Sequence, residues 1–167
     1  MSELIMQEIT NEQQVLNVSE LAHAIWQEHF TPLLQPGQVD YMLRRYQSPA
    51  AVHQAIQQEG YRYYFLIVCE EKIGYMAVCP KGEILFLSKL YIKKEHRGQG
   101  YSKKALEFLQ DCARKDGHAR IRLNCYRHND RSLAVYEKLG FMITAEENAD
   151  IGGGYVLDDY ILEKSVH

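Results

Sequence analysis

A strand that runs through two glycines into a helix is the feature that most constrains this chain. Residues 84–92 are rich in apolar side chains in a pattern typical of a strand. A helical pattern runs from about Lys103 to Asp116. Between them stands Arg97-Gly98-Gln99-Gly100-Tyr101-Ser102. Glycine tolerates positive φ, and the first N–H groups of a helix are unpaired and carry partial positive charge. The turn therefore predicts a cradle for a phosphate or pyrophosphate.

The pattern does not fit two common phosphate loops. A Walker loop ends in Gly-Lys-Ser or Gly-Lys-Thr, and the chain has no such tripeptide. A dinucleotide fingerprint needs a third glycine where Lys103 stands. Taken alone, the two glycines also suit a plain turn that closes a strand.

A second motif follows about thirty residues later and reads Asn129-Asp130-Arg131-Ser132-Leu133-Ala134-Val135-Tyr136-Glu137-Lys138-Leu139-Gly140-Phe141. Together the two motifs resemble the GNAT superfamily of acetyl-CoA-dependent N-acetyltransferases. Its motifs read Gln/Arg-x-x-Gly-x-Gly/Ala and roughly Asn-x-x-Ala-x-x-x-Tyr-x-Lys-x-Gly-Phe. Ser102 replaces the last small residue of the first motif. The resemblance is specific over residues 85–141, and residues 150–164 are similar to the closing hairpin of bacterial members.

The resemblance implies an α/β (α+β) fold with a mixed, mostly antiparallel sheet of about seven strands and about four helices on both faces. The length of 167 residues predicts one N-acetyltransferase domain over residues 1–167. The patterns predict strands over Leu4–Ile9, 61–69, 73–79, 83–92 and 120–126, and two last strands joined through Gly152-Gly153-Gly154. They predict a first helix opened by a capping box Thr10-x-x-Gln13, a helical piece after Gly37 and a short helix from Ser48-Pro49 to Gly60. Two further helices are predicted over 103–116 and 130–139.

Charge is unevenly distributed along the chain. Residues 89–122 carry ten Lys or Arg against four Asp or Glu, whereas the remainder carries nine against eighteen. The basic stretch suits the phosphates of coenzyme A, and the candidates to bind them are Arg97, Lys103 and Lys104. The acidic remainder disfavours a nucleic-acid partner and mildly favours a cationic acceptor.

Other classes are disfavoured by composition. The four cysteines lack metal-ligand spacing, so we expect no metal and reduced, mostly buried thiols. No apolar run approaches a membrane span of roughly 20 residues, and the N-terminus does not resemble a signal peptide. We therefore expect a cytoplasmic protein without a membrane partner. Because members of the family are often dimers, a homodimer is possible.

The resemblance also implies the residues that bind acetyl-CoA as co-substrate. The backbone of Leu90, Tyr91 and Ile92 pairs with the pantetheine amides, and Asn129 and Tyr136 contact the rest of the arm. The pyrophosphate binds at the glycine turn, which comprises Arg97, Gly98, Gln99, Gly100, Tyr101, Ser102 and Lys103. Asn129 also stands where a helix N-cap is expected, so its side chain has two competing roles.

For catalysis, the resemblance implies Tyr136 as the general acid toward the departing thiolate and the backbone N–H of Leu90 as the oxyanion donor. The general base is less defined, because Ser88 occupies the position where many relatives carry glutamate. Glu83 could act instead, or Asp158 or Asp159 through water. Adjacent residues of a strand face opposite sides, so at most one of the two aspartates lines the site.

The first helices and the last hairpin are expected to form the acceptor pocket, with an aromatic lining from Trp26, His29, Phe30, Tyr41 and Tyr46. The acceptor would be a primary amine, either on a small molecule such as a polyamine or amino-sugar or on a peptide, and would react directly in a ternary complex. A non-catalytic acyl-CoA sensor is the alternative that the missing glutamate at Ser88 favours. A nucleotide-binding regulatory domain is a third alternative, which the absence of a Walker lysine disfavours.

Overall fold

A computed structural model describes residues 2–167, which form one seven-stranded sheet with helices on both faces. The strands are β1 (Leu4–Glu8), β2 (Arg62–Val68), β3 (Glu71–Lys81), β4 (Ile84–Ile92), β5 (Arg120–Tyr126), β6 (Met142–Gly152) and β7 (Tyr155–Ser165). The helices are α1 (Glu12–Phe30), α2 (Gln38–Tyr46), α3 (Pro49–Gln58), α4 (Tyr101–Lys115) and α5 (Asp130–Lys138), with a short 3₁₀ turn at Lys94–His96. The predicted fold class is confirmed, with five α-helices where about four were expected.

The sheet has the strand order β1-β2-β3-β4-β5-β7-β6. Only β4 and β5 pair in parallel, which requires the crossover through α4, and every other neighbouring pair is antiparallel. Because β4 and β5 lie in the middle, the motif-bearing segments that follow each of them meet at one end of the sheet.

The first helix begins one residue later than its predicted capping box. Asn11, in extended conformation, accepts a 2.9 Å bond at Oδ1 from the N–H of Gln14, and Gln14 Oε1 accepts from the N–H of Asn11. The prediction of Thr10 and Gln13 as the box was therefore wrong. Both registers contain suitable side chains, and the local sequence alone did not distinguish them.

Two apolar cores cover the faces of the sheet. Helices α1, α2 and α3 pack on one face around buried aromatic side chains such as Trp26 and Phe65, and α4 packs on the other against Leu85 and Ile121. All four cysteines are free, but only Cys79 and Cys125 are buried, whereas Cys112 is partly exposed and Cys69 is exposed, so fewer thiols are buried than expected. Within residues 2–167, no helix is both long enough and apolar enough to cross a membrane.

The two central strands separate partway along their length. β4 pairs with β5 only from Ile84 to Leu87, and Ser88 is the extra residue of a bulge in the pairing of β4 with β3. Beyond Leu87 the two strands diverge, and this bulge redirects the rest of β4. A cleft opens between them, bordered by the N-termini of α4 and α5.

Candidate active site

Two adjoining cavities fill the cleft between the separated strands. The larger has about 1020 Å³ of empty space and the smaller about 720 Å³, both including their open mouths. They share a boundary formed by Leu90, Tyr91, Ser132 and Tyr136. Two ligands could therefore lie end to end and meet at this boundary.

The backbone of β4 faces the smaller cavity at alternate residues. The N–H of Lys93 donates to the carbonyl of Ile73 on β3 at 2.8 Å. Because backbone groups alternate sides along a strand, those of Leu90 and Ile92 point away from β3 toward the cleft. The carbonyl of Ile92 accepts a 2.8 Å bond from Arg97 Nε there. The Leu90 N–H thus has the orientation that an oxyanion donor needs, although its role stays a prediction.

The glycine turn has the conformation that its sequence predicts. Gly98 and Gly100 adopt φ of +76° and +85°, and Gly100 is the N-cap of α4. Within residues 2–167 no side chain caps α4, so its first N–H groups are available to an anion. Tyr101 and Ser102, in that first turn, line the smaller cavity.

Positive charge surrounds this turn, but not from every expected residue. Arg97 lines the smaller cavity and also pairs with Glu28 at 2.7 Å. Lys103, which is exposed, and Gln99 lie outside the lining. Arg131, in the first turn of α5, lines the cavity and was missed by sequence reasoning. Its place two residues after Asn129 in the second motif was a signal that could have identified it.

Tyr136 stands at the boundary of the two cavities. Its side chain is half-buried, and its hydroxyl has no hydrogen-bond partner within residues 2–167. Burial, with a smaller effect of Cys125, raises the pKa of the phenol well above its ordinary value. The hydroxyl is therefore protonated at neutral pH and can donate to a group placed between the cavities.

Asn129 is the N-cap of α5, as its position in the sequence suggested. Its Oδ1 accepts from the N–H of Ser132 at 3.4 Å, and its Nδ2 donates to Nε2 of His29 at 3.0 Å. Burial, and then the charge of Arg97, lower the pKa of His29, so a neutral ring that accepts this bond is favoured. Contact of Asn129 with coenzyme A stays a prediction.

Neither Glu83 nor Asp158 is in the lining of the larger cavity. Glu83 is exposed and bonds Arg120 at 3.0 Å, at the far end of β4. Asp158 pairs with Arg127 at 3.1 Å. Strand alternation turns Asp159 rather than Asp158 toward the cavity, and the identity of the base stays a prediction.

Asp159 is buried in the wall of the larger cavity, with 6% of its surface exposed. Its Oδ1 is buried and has no hydrogen-bond partner in the described chain. Burial raises the pKa of this carboxyl to about 6, and the charges of Glu147 and Asp158 add to that effect. Lys89 acts in the opposite direction. The site therefore contains a carboxylate with an unused acceptor.

Lys89 is the cation of the same wall and was not identified from the sequence. Its Nζ donates to Ser88 Oγ at 2.6 Å, and burial lowers its pKa to about 8. No ion pair joins it to Asp159 within residues 2–167. A single lysine in a strand pattern gave no signal of this position, because it depends on the bulge at Ser88.

The expected aromatic lining is partly present. Trp26, Phe30 and Tyr46 line the larger cavity, and His29 lines the smaller one. Tyr41 is absent from both linings and donates instead to the carbonyl of Ile151 at 2.7 Å.

The model of the acetyltransferase (GNAT) family matches residues 20–141. The chain therefore belongs to the GNAT acetyltransferase family. It is 33% identical over 60 residues to a bovine (Bos taurus) thialysine Nε-acetyltransferase, which is 36% of this chain and 35% of that protein. The match thus covers about a third of the curated relative's length.

Solved structures with the same fold match nearly the whole chain. The PaiA N-acetyltransferase of Thermoplasma acidophilum, in complex with coenzyme A, has a TM-score of 0.80 at 18% identity over 98% of this chain and 99% of its own. A spermidine N-acetyltransferase SpeG chimera of the Vibrio cholerae protein and hSSAT has a TM-score of 0.70 at 17% identity over 99% and 96%. At such identities the likeness establishes the fold alone.

Proposed function

We propose that this protein transfers the acetyl group of acetyl-CoA to a primary amine, directly and in a ternary complex. The observation that carries the proposal is the position of Tyr136, whose free hydroxyl lies at the boundary of two cavities. One substrate in each cavity would bring the thioester and the amine together beside that hydroxyl.

The residues around the smaller cavity fit coenzyme A. Two glycines at positive φ and an uncapped helix suit the pyrophosphate. Arg97 and Arg131 supply positive charge to the same cavity. The outward backbone of Leu90 and Ile92 suits the pantetheine amides, and the Thermoplasma acidophilum protein of the same fold was solved in complex with coenzyme A.

Acetyl transfer makes three physical demands, and this chain has a group suited to each. The Leu90 N–H would donate to the thioester oxygen as negative charge develops on it. Tyr136 would donate its proton to the departing sulfur. The acceptor must be neutral to attack, and holding a lysine-like amine neutral at pH 7 costs about 4.6 kcal/mol. A buried carboxylate in the acceptor cavity is a suitable group to accept its proton.

The proposed acceptor class is supported by the names of two relatives. The relatives named above act on thialysine and spermidine by their names, and amino-sugars and peptide amines are further primary amines of the proposed class. Release of coenzyme A from acetyl-CoA, measured against a panel of these amines, tests the proposal. Amine-dependent release supports it.

The sensor alternative depends on Ser88, which leaves β4 without a carboxylate at that position. Asp159 supplies a carboxylate to the same cavity from β7, which favours the enzyme. Tight acetyl-CoA binding without release to any amine would favour the sensor. The cytoplasmic location, the possible homodimer and the absence of nucleic-acid, membrane and metal partners stay predictions.

A further inference from the structure

Asp159 has a property that the fold does not explain. It is the one acidic side chain in the lining of the larger cavity as described over residues 2–167. Its Oδ1 is buried without a donor. An unpaired buried polar atom destabilises the folded state, and a charged one does so more strongly. A carboxylate kept in this state indicates a ligand that supplies the missing donor.

The chemistry of the carboxylate favours a cationic donor. Lys89, the one lysine in the lining as described over residues 2–167, donates from Nζ to Ser88 Oγ and forms no ion pair with Asp159. An ammonium that enters the cavity can therefore pair with Asp159 directly. Such a charge-assisted bond is stronger than a neutral one.

The remaining lining limits the number of charges that the ligand can carry. Toward α1 and α2 the wall is mostly apolar, with Phe30, Leu34 and Met42 beside Tyr46, and Phe86 and Leu157 continue it. A second ammonium in this space would have no second carboxylate in the lining and would be repelled by Lys89. An alkyl or aromatic group, by contrast, would replace water on the apolar surface.

We propose that Asp159 binds the ammonium of the acceptor and removes its proton, and that the acceptor carries one positive charge on an apolar body. This inference rests on the proposed function and narrows its acceptor class, since it places a polyamine at a disadvantage.

The proton balance of the step is complete. The ammonium gives one proton to Asp159, and the neutral nitrogen attacks the thioester carbon as the C–N bond forms and the C–S bond breaks. Tyr136 gives its proton to the sulfur, and the second proton lost by the nitrogen returns to Tyr136 through solvent. Asp159 releases its proton to solvent before the next cycle.

A matched pair of acceptors tests the charge limit. Hexylamine and 1,6-diaminohexane have the same chain length and differ in a second ammonium. We expect kcat/KM for coenzyme A release to be at least about tenfold higher with hexylamine than with the diamine. The second ammonium of the diamine would be buried in the cavity without a carboxylate to compensate its charge. Equal or better turnover of the diamine would retain the transferase and overturn the inference. Failure of both of these amines, and of the wider panel, would overturn the proposed function and the inference with it.

A matched pair of variants tests the role of Asp159. Asp159→Asn should lower kcat/KM for hexylamine by about 10²–10⁴-fold, with acetyl-CoA affinity by calorimetry within threefold. Glu146→Gln removes an exposed carboxylate of β6 that pairs with Arg127, and should stay within threefold of the parent in both measurements. Loss of activity in Asp158→Asn with full activity in Asp159→Asn would overturn the assignment.

The pH profile separates a proton acceptor from a structural residue. Groups that act on Asp159 or are acted on by it come from each adjoining strand: Lys89 and Tyr91 of β4, Cys125 of β5, Glu147 of β6 and Asp158 of β7. Since burial raises the pKa of Asp159 to about 6, kcat/KM should fall below that pH. Asp159→Asn should remove this acidic limb. An unchanged limb in the variant would contradict the role as base.

Discussion

The side-chain amide of Asn129 donates to Nε2 of His29 at 3.0 Å, and so joins the N-terminus of α5 to the last turn of α1. The same amide accepts the N–H of Ser132 at Oδ1. One buried residue thus joins two helices that both line the cavities of the site.

This contact makes stability sensitive to Asn129. Asn129→Ala should lower the free energy of unfolding by about 1–2 kcal/mol, from the lost cap and the lost bond to His29. Asn129→Asp keeps an acceptor for the Ser132 N–H and removes the donor to His29, so its loss should be smaller. Urea unfolding at pH 8 measures both, and equal stability of Asn129→Ala and the parent would contradict the account.

The contact also predicts a pH dependence. Burial lowers the pKa of His29 below its ordinary 6.5, so the unfolded chain takes up the proton more readily. The stability contributed by the neutral ring is present above pH 6.5 and should be lost as pH falls through the lower pKa of the folded state. His29→Gln should reduce this loss in urea titrations between pH 8 and 5. The same slope in both proteins would argue against a buried neutral His29.

Tyr136→Phe removes the hydroxyl and keeps the ring. We expect the catalytic rate to fall by roughly 10²–10⁴-fold, because the departing sulfur loses its proton donor, with little change in acetyl-CoA affinity. Tyr160→Phe, outside both cavities, is the control and should stay within about twofold. Unchanged turnover of Tyr136→Phe would exclude it as the acid.

Gly100→Val should abolish binding of coenzyme A, because a branched side chain crowds the anion cradle. Gly100 has φ of +85°, so the substitution also strains the backbone. Gly117→Val is the matched control, since Gly117 has φ of +82° after the other end of α4, with open space around it. Both variants should lose stability, and only Gly100→Val should lose binding in calorimetry. Binding retained by Gly100→Val would mean that the cradle lies elsewhere.

Asp159, which we propose as the base, should lower the free energy of unfolding at neutral pH. Its pKa is raised from 3.8 to about 6, so the folded state favours the protonated carboxyl. The stability that the protonated carboxyl contributes is fully present below pH 3.8 and is lost as the pH rises through about 6. Asp159→Asn should therefore be more stable than the parent by about 3 kcal/mol at pH 7, with the gain disappearing near pH 4. A variant that is less stable at pH 7 would contradict an unpaired buried carboxylate.

The sequence predicted the parts of the site that depend on local chain geometry. The glycine turn, the N-cap at Asn129 and the position of Tyr136 all follow from motifs that fold within a few residues. The choice among the candidate carboxylates Glu83, Asp158 and Asp159 did not follow, because it depends on β7 pairing with β5 and on which alternate residue turns inward. Lys89 depends on a bulge at Ser88 that only the pairing of β4 with β3 defines. Such long-range register was not readable from the pattern of one strand.

The most direct test of the whole account is coenzyme A release from acetyl-CoA by the wild-type protein, measured with and without hexylamine, spermidine, an aminoglycoside and a peptide with a free amine. We predict release that depends on the amine, with hexylamine the best of these acceptors. Tight binding of acetyl-CoA by calorimetry with no release above the amine-free rate for any acceptor would contradict the transferase and favour a sensor.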